Sequence, residues 1–220
     1  MNTNDKLVLA IPKGRILNAI TPLMLRAGVE LKDRLSEKYA RQLQFATTDP
    51  NVEIVLVSSF DVVTFLAFGA AHLAIAGSDV LMEFNHPEVY TPVNLDVSIC
   101  HLAVAAPAKQ CSKKDSYRSS YMRVATKYPN LARNYFAQYG IQAECIKLNG
   151  ALEMAPNLGL CCRIVDLVQT GSTLKANGLV EIAKIADVSA RLAVNRTALK
   201  IRPRLVSELI ERFRGAVSAT

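Results

Sequence analysis

The residues of this chain best suited to chemistry lie in one stretch, DLVQTGSTLKANGL, from Asp166 to Leu179. An apolar run ends there in an acid, crosses a Thr-Gly-Ser-Thr turn and enters a segment with the composition of a helix start. A phosphate needs several N–H and O–H donors converging in a small space. Backbone amides at a helix start supply the N–H groups together with the positive end of the helix dipole. Thr170, Ser172 and Thr173 each add a hydroxyl, and Gly171, without a Cβ, lets the backbone come close. Asp166 repels a phosphate but accepts hydrogen bonds from sugar hydroxyls. A phosphate flanked by a diol is a ribose 5-phosphate. The residues alone leave a second reading open, in which the string is only a connection between two elements. It is not a Walker A loop, since no G-x-x-x-x-G-K is present.

Such a turn works only if strands and helices hold it, and short apolar runs alternate with segments of helical period along the chain, the pattern of an α/β fold. KLVLAIPKGR reads as a strand ending near Pro12, followed by Ile16, Leu17, Ile20, Leu23, Met24 and Ala27 at helical spacing and closed by Gly28. Pro22 either kinks this helix or marks its first turn. VEIVLVS reads as a strand, FDVVTFLAFG as a helix ending at Gly69, HLAIAG as a strand and SDVLMEF as a helix. Around residues 85 to 120 Pro87, Pro92 and Pro107 punctuate the chain, and the strand-like run LDVSICHLAVAAP suits a crossover between two lobes. A second set follows: MRVATKY as a strand, a helix with Pro129 in its first turn and Gly140 as its cap, AECIKLN as a strand, ALEMAPNLG as a short helix, and RIVDLV as the strand before the turn. LVEIAKIADVSARLAVN is β-rich and returns the chain to the first lobe. There RPRLVSELIERFRGAV, with Leu205, Leu209, Phe213 and Val217 at i, i+4 spacing, packs as an amphipathic helix. The expected fold is α/β, in two lobes of mixed, largely parallel sheet: residues 1–98 with 185–220 form the first, and residues 99–184 form the second, which carries the turn.

Half of the 220 residues are hydrophobic, enough for buried cores and too many for a disordered chain. No charge-free apolar run of about 18 residues occurs. The start MNTNDKLVLAIPKGR lacks a basic region before a long apolar stretch. Neither a membrane partner nor a secretory signal is expected, and the cytoplasm is the expected compartment. The five cysteines have no C-x-x-C spacing, and the adjacent Cys161 and Cys162 are poorly placed to ligate one zinc. His72, His86 and His101 have no metal spacing either, so no protein metal site is expected. The net charge of +7 favours anionic partners, but Lys and Arg are spread along the chain and there is no Trp, which argues for a phosphorylated small molecule and against nucleic acid.

LAIPKGR, AIAGSDVLMEF, RVATKYPNLARNYF, GALEMAPNLGL and DLVQTGSTLKANGL, in this order, make the chain resemble the short form of ATP phosphoribosyltransferase, the first enzyme of histidine biosynthesis. The resemblance covers nearly the whole chain. It implies a fold similar to the type II periplasmic binding proteins, with two lobes and a cleft between them. It also implies that N1 of ATP attacks C1 of phosphoribosyl pyrophosphate (PRPP), with Mg²⁺ present, giving phosphoribosyl-ATP and pyrophosphate. The implied partners are a second copy in a homodimer and a regulatory subunit resembling histidyl-tRNA synthetase. A chain of 220 residues is expected to lack the C-terminal regulatory domain of the long form. Aligning two polyanions and stabilising a leaving diphosphate calls for cations and oriented amides more than for a nucleophile, and no Ser-His-Asp or Cys-His set is visible.

By this resemblance Thr170, Gly171, Ser172 and Thr173 hold the 5-phosphate of PRPP, and Asp166 meets its ribose hydroxyls. Glu153 is a second acid toward the ribose or the metal, with an exposed acid in a first helical turn as the competing reading. Lys13, Gly14 and Arg15, just past the first strand where an α/β cleft opens, bind ATP, with Lys13 and Arg15 as catalytic cations toward phosphate oxygens; the alternative is an ordinary solvated turn. Asp79 contacts the nucleotide or caps its helix. Arg41, in YARQLQF, aligns with an arginine that the family uses near the leaving group, or is a surface arginine. Ser58, in VSSFDVVTF, stands where many relatives carry an arginine, and Cys162, in GLCCRI, where relatives carry an acid. Losing a charge aimed at a developing anion costs on the order of 10²-fold in rate. A low-activity relative and a non-catalytic two-lobed binding protein are therefore the alternatives to an active enzyme.

Overall fold

The computed structural model describes residues 6–32, 42–108 and 121–219, which divide into two compact units, one within 1–98 and 189–220 and the other within 99–188. In the first unit β1 (Leu7–Pro12) leads into α1 (Arg15–Arg26), followed by β2 (Gln44–Ala46), β3 (Val52–Val57), α2 (Ser59–Ala67), β4 (Leu73–Gly77), α3 (Ser78–Phe84) and β5 (Val89–Asn94). The second contains β6 (Cys100–Pro107), β7 (Tyr121–Thr126), α4 (Pro129–Ala137), β8 (Gln142–Lys147), β9 (Arg163–Val168), α5 (Ser172–Ala176) and β10 (Leu179–Val188). Then β11 (Ala190–Asn195), α6 (Arg196–Ile201) and α7 (Pro203–Ser218) rejoin the first.

The first sheet has the order β2-β3-β1-β4-β11-β5 and the second β10-β6-β9-β7-β8. Both are mixed. β3, β1 and β4 run parallel, as do β9, β7 and β8, and the remaining pairings are antiparallel. β1 and β4 read as unbroken apolar runs because helices cover both faces of their sheet. Leu9 and Ile11 face the cluster that includes Leu17 and Ile20 of α1 and Leu209 and Phe213 of α7. Ala10, Ala74 and Ala76 face the other way, and their small side chains let Val62, Val63 and Leu66 of α2 approach. Burying a side chain such as Phe213 or Leu66 completely contributes about 1.5–3 kcal/mol.

α1 runs unbroken through Pro22, which therefore lies inside the helix and not in its first turn. α7 buries Val206, Leu209, Ile210, Phe213 and Ala216 and is tied to the end of α1 by Arg212, which donates to Ala27 O at 2.7 Å and pairs with Asp49 at 2.6 Å. Burial raises the Asp49 carboxyl, but bonds from Arg212 and from Asn51 N–H outweigh it, and its pKa ends below the ordinary value.

Three segments differ from the sequence expectation. LDVSICHLAVAAP becomes strand only from Cys100, because Asp96 and Ser98 adopt φ of 53° and 55° and interrupt the extended run. LVEIAKIADVSARLAVN divides at Ser189 into β10 and β11, which join different sheets. ALEMAPNLG forms only a 3₁₀ turn, Leu152–Met154, since Pro156 has no N–H to donate to Leu152 O. Among the described residues, no helix is long and apolar enough to cross a membrane.

Candidate functional site

β9 carries Ile164 and Val168 into an apolar cluster with Ala103, Ala125, Leu152 and Leu174. Strand alternation puts Asp166, between them, on the same face. Asp166 is half-buried, and its Oδ1 accepts Leu167 N–H at 2.9 Å. The strand ends at Val168 and the turn follows, with Gly171 at φ 72°, a left-handed conformation that strains any residue with a Cβ. Thr170 Oγ1 and Ser172 Oγ lie 3.0 Å apart, and Ser172 N–H donates to Thr170 Oγ1 at 3.4 Å, so the hydroxyls gather ahead of α5. The first N–H groups of a helix have no acceptor within it. With only five residues, α5 contributes little dipole, so what this turn offers an anion is its converging donors. A hollow of about 320 Å³ opens against the turn, walled by Thr170, Gly171, Leu174, Leu179 and His101. Glu153 sits half-buried on the 3₁₀ turn whose Leu152 belongs to the same cluster as Ile164 and Val168.

Sequence reasoning does not single out Lys127, but strand register does. Thr126, the last residue of β7, is paired with Val165 of its parallel neighbour β9, so Lys127 leaves β7 one residue beyond that pair, as Asp166 does within β9. Thr126 Oγ1 ties the two strands by donating to Val165 O at 2.8 Å.

In the first unit β3, β1 and β4 are also parallel neighbours, and each delivers a residue that the sequence analysis singles out to the same end of the sheet. β1 delivers Lys13, Gly14 and Arg15, all exposed, with Lys13 N–H donating to Val57 O at 3.0 Å. Gly14, at φ 89° and ψ −134°, begins α1, which has no acid in its first turn and no side-chain cap. A helix start flanked by two cations and lacking an acid of its own suits an anion. β3 delivers Ser58, which caps α2: its Oγ accepts Asp61 N–H at 3.3 Å and donates to Asp61 Oδ2 at 2.6 Å. β4 delivers Asp79. It does not cap α3, whose N-cap is Gly77; it is 5% exposed and folds back so that a Cβ on Gly77 would meet Asp79 Oδ1 at 2.1 Å. Arg41 lies outside the described residues. Cys162 Sγ donates to Arg123 O at 3.3 Å. The predicted residues that are described thus form two groups: Lys13, Gly14, Arg15 and Asp79 in the first unit, and Glu153, Asp166 and Thr170 to Thr173 in the second.

The sequence model of the HisG family, ATP phosphoribosyltransferase, matches residues 58–215. The chain belongs to the ATP phosphoribosyltransferase family. It is 56% identical to the ATP phosphoribosyltransferase of Rhodospirillum rubrum, over 98% of this chain and 95% of that one. It is 53% identical to that of Paramagnetospirillum magneticum, over 98% and 99%. Among solved structures it resembles the ATP phosphoribosyl transferase (HisG:HisZ) complex from Thermotoga maritima, with a TM-score of 0.82 and 28% identity over 97% of this chain and 100% of that one. The fold alone is shared with the alkanesulfonate-binding protein SsuA from Xanthomonas axonopodis pv. citri, with a TM-score of 0.52 and 14% identity over 96% and 73%. No group of three or more His, Cys, Asp and Glu suited to a metal occurs among the described residues.

Proposed function

We propose that this chain transfers the phosphoribosyl group of PRPP to N1 of ATP, giving phosphoribosyl-ATP and pyrophosphate, the first step of histidine biosynthesis. The observation that carries the assignment of the site is the turn after β9, where Thr170 and Ser172 hydroxyls converge beside a glycine-enabled helix start while Asp166 lies on the adjoining face. The 5-phosphate takes the donors of residues 170 to 173, and the ribose diol takes Asp166. Adenine N1 is unprotonated at neutral pH, so its lone pair attacks C1 without a general base. As the C1–O bond lengthens, positive charge grows on the ribose ring, where Asp166 opposes it, and negative charge grows on the diphosphate. Lys13 and Arg15, at the start of α1, serve the triphosphate or diphosphate oxygens as in any anion site at a helix N-terminus. Asp79 is assigned to the nucleotide, and Mg²⁺ would be held by the diphosphate with Asp166 or Glu153, supplying further positive charge to the leaving group. The chain is assigned to the cytoplasm as a homodimer that joins a regulatory subunit resembling histidyl-tRNA synthetase. A HisG:HisZ complex as structural neighbour supports the hetero-oligomer.

The test is turnover of ATP, PRPP and Mg²⁺, followed by the absorbance of phosphoribosyl-ATP, with and without a regulatory subunit. Asp166→Asn and Thr173→Ala are each expected to lower kcat/KM by about 10²-fold or more while leaving the melting temperature near that of the parent. Full activity in both variants would remove the turn and Asp166 from the site.

A further inference from the structure

We propose that Lys127 is the cation that receives the departing pyrophosphate, an assignment that rests on the turn after β9 being the PRPP phosphate loop. Neighbouring strands stand about 4.8 Å apart. Lys127 and Asp166 are each one residue beyond the Thr126–Val165 pair, Asp166 still within β9 and Lys127 just past the end of β7. Ala125 and Ile164 share an apolar cluster with Leu174, and alternation from Ile164 puts Asp166 on the face that carries α5, while Lys127 follows directly on the end of β7. Leu148 N–H continues the ladder on the other side by donating to Thr126 O at 3.1 Å, so Lys127 lies between β8 and β9.

The order of strands decides which end of the sugar this ammonium meets. After β9 the chain turns away from β7: α5 packs against β10, and β10 pairs with β6, on the far side of β9. In PRPP the diol at C2 and C3 separates C1, which bears the pyrophosphate, from C4, which bears the 5-phosphate arm. A sugar with its 5-phosphate at residues 170 to 173 and its diol over Asp166 therefore extends C1 and the pyrophosphate toward β7, where Lys127 stands. Lys127 is half-buried and has no hydrogen bond or ion pair among the described residues. In the reaction the N1–C1 bond forms, the C1–O bond breaks, and both electrons leave with the diphosphate oxygen. The ammonium meets the charge that grows there. A cation at this position also suits a chain that carries Ser58, not arginine, at the other predicted leaving-group position.

The experiment compares equilibrium binding of PRPP, pyrophosphate and ribose 5-phosphate, with Mg²⁺, to the full-length protein and to its Lys127→Gln and Lys127→Arg variants, together with kcat. Lys127→Gln is expected to weaken PRPP and pyrophosphate about 10- to 100-fold and to lower kcat by a similar factor. Ribose 5-phosphate, which has no pyrophosphate, should change by less than about twofold, the bound within which the two affinities count as equal. Lys127→Arg keeps the charge and should restore PRPP binding to within a few-fold. Unchanged PRPP binding in Lys127→Gln overturns the proposal alone. An equal loss for ribose 5-phosphate overturns it too, since the residue then serves the 5-phosphate or the fold. A parent protein that binds none of the three ligands removes the phosphate loop, and Lys127 with it.

Discussion

Ser58 is where family resemblance and local structure pull against each other. The family resemblance leads one to expect an arginine at this position, yet here the side chain caps α2 and exchanges hydrogen bonds with Asp61. A cap of this kind contributes about 1 kcal/mol. An arginine can neither accept Asp61 N–H nor sit comfortably at the positive end of a helix dipole. Ser58→Arg is therefore expected to lower the melting temperature by roughly 2–4 °C, as is Ser58→Ala, whereas Ser58→Thr keeps it. Thermal unfolding followed by circular dichroism checks this, and an arginine variant as stable as the parent would show that the cap is dispensable. Residues also differ in how far the sequence reveals them. The hydroxyls of Thr170, Ser172 and Thr173 and the acid before them are contiguous, so their chemistry is legible in one short string. Lys127 is an ordinary lysine in RVATKY, and only the parallel pairing of β7 with β9, which ends at Thr126 and Val165, relates it to Asp166. Asp79, placed after a strand, reads either as a nucleotide contact or as a cap, and in the fold Gly77 takes the cap position while Asp79 turns back onto it.

Among the elements, β1 and β4 are joined in a way that responds to pH. His72, just before β4, donates its N–H to Val8 O at 2.9 Å, and its Nδ1 accepts Val8 N–H at 2.9 Å, so one residue satisfies both backbone groups of Val8. Burial first, and the charge of Arg202 second, hold the imidazole below its ordinary value of 6.5. The unfolded chain then takes up a proton at higher pH than the folded one. Stability from this group is complete above about pH 6.5, falls as pH drops through the window between the unfolded and folded values, and levels off below it. His72→Asn, whose Oδ1 can take the same N–H and does not titrate, should show a shallower fall in melting temperature between about pH 7.5 and 5 than the parent does. Parallel slopes would mean that the Val8 bond does not control the proton. The elements that sequence periodicity finds are those with one long apolar stripe, such as α1 and α7, or a fully apolar run, such as β4. It misses α6, which depends on Asn195 accepting Ala198 N–H at 2.9 Å while donating to Leu66 O at 2.9 Å, a tertiary contact. It also misses the division at Ser189, because both flanking segments are β-rich and only sheet membership separates them.

At the scale of the whole molecule, 26 Lys and Arg against 19 Asp and Glu leave a net charge of +7, and the proposed substrates are polyanions. The cations are distributed along the chain, so the attraction is a long-range field added to the local contacts of each site. Such a field is screened once the Debye length falls below the distances involved, from about 10 Å at 0.1 M salt to roughly 3 Å at 1 M. The donors of residues 170 to 173 act at contact distance and are screened far less. Raising KCl from about 0.05 to 0.5 M should therefore raise the KM for ATP and for PRPP several-fold, mainly through slower association, while kcat changes little. Adenosine, which has the same base and no charge, should bind with an affinity that stays within about twofold over this range, a bound set by the absence of a charge to screen. Stopped-flow association of PRPP against salt, beside steady-state KM, separates the field from the contacts. A PRPP association rate that does not respond to salt would mean that the positive surplus lies where substrates never sense it, and that recognition rests on the turn and its neighbours alone.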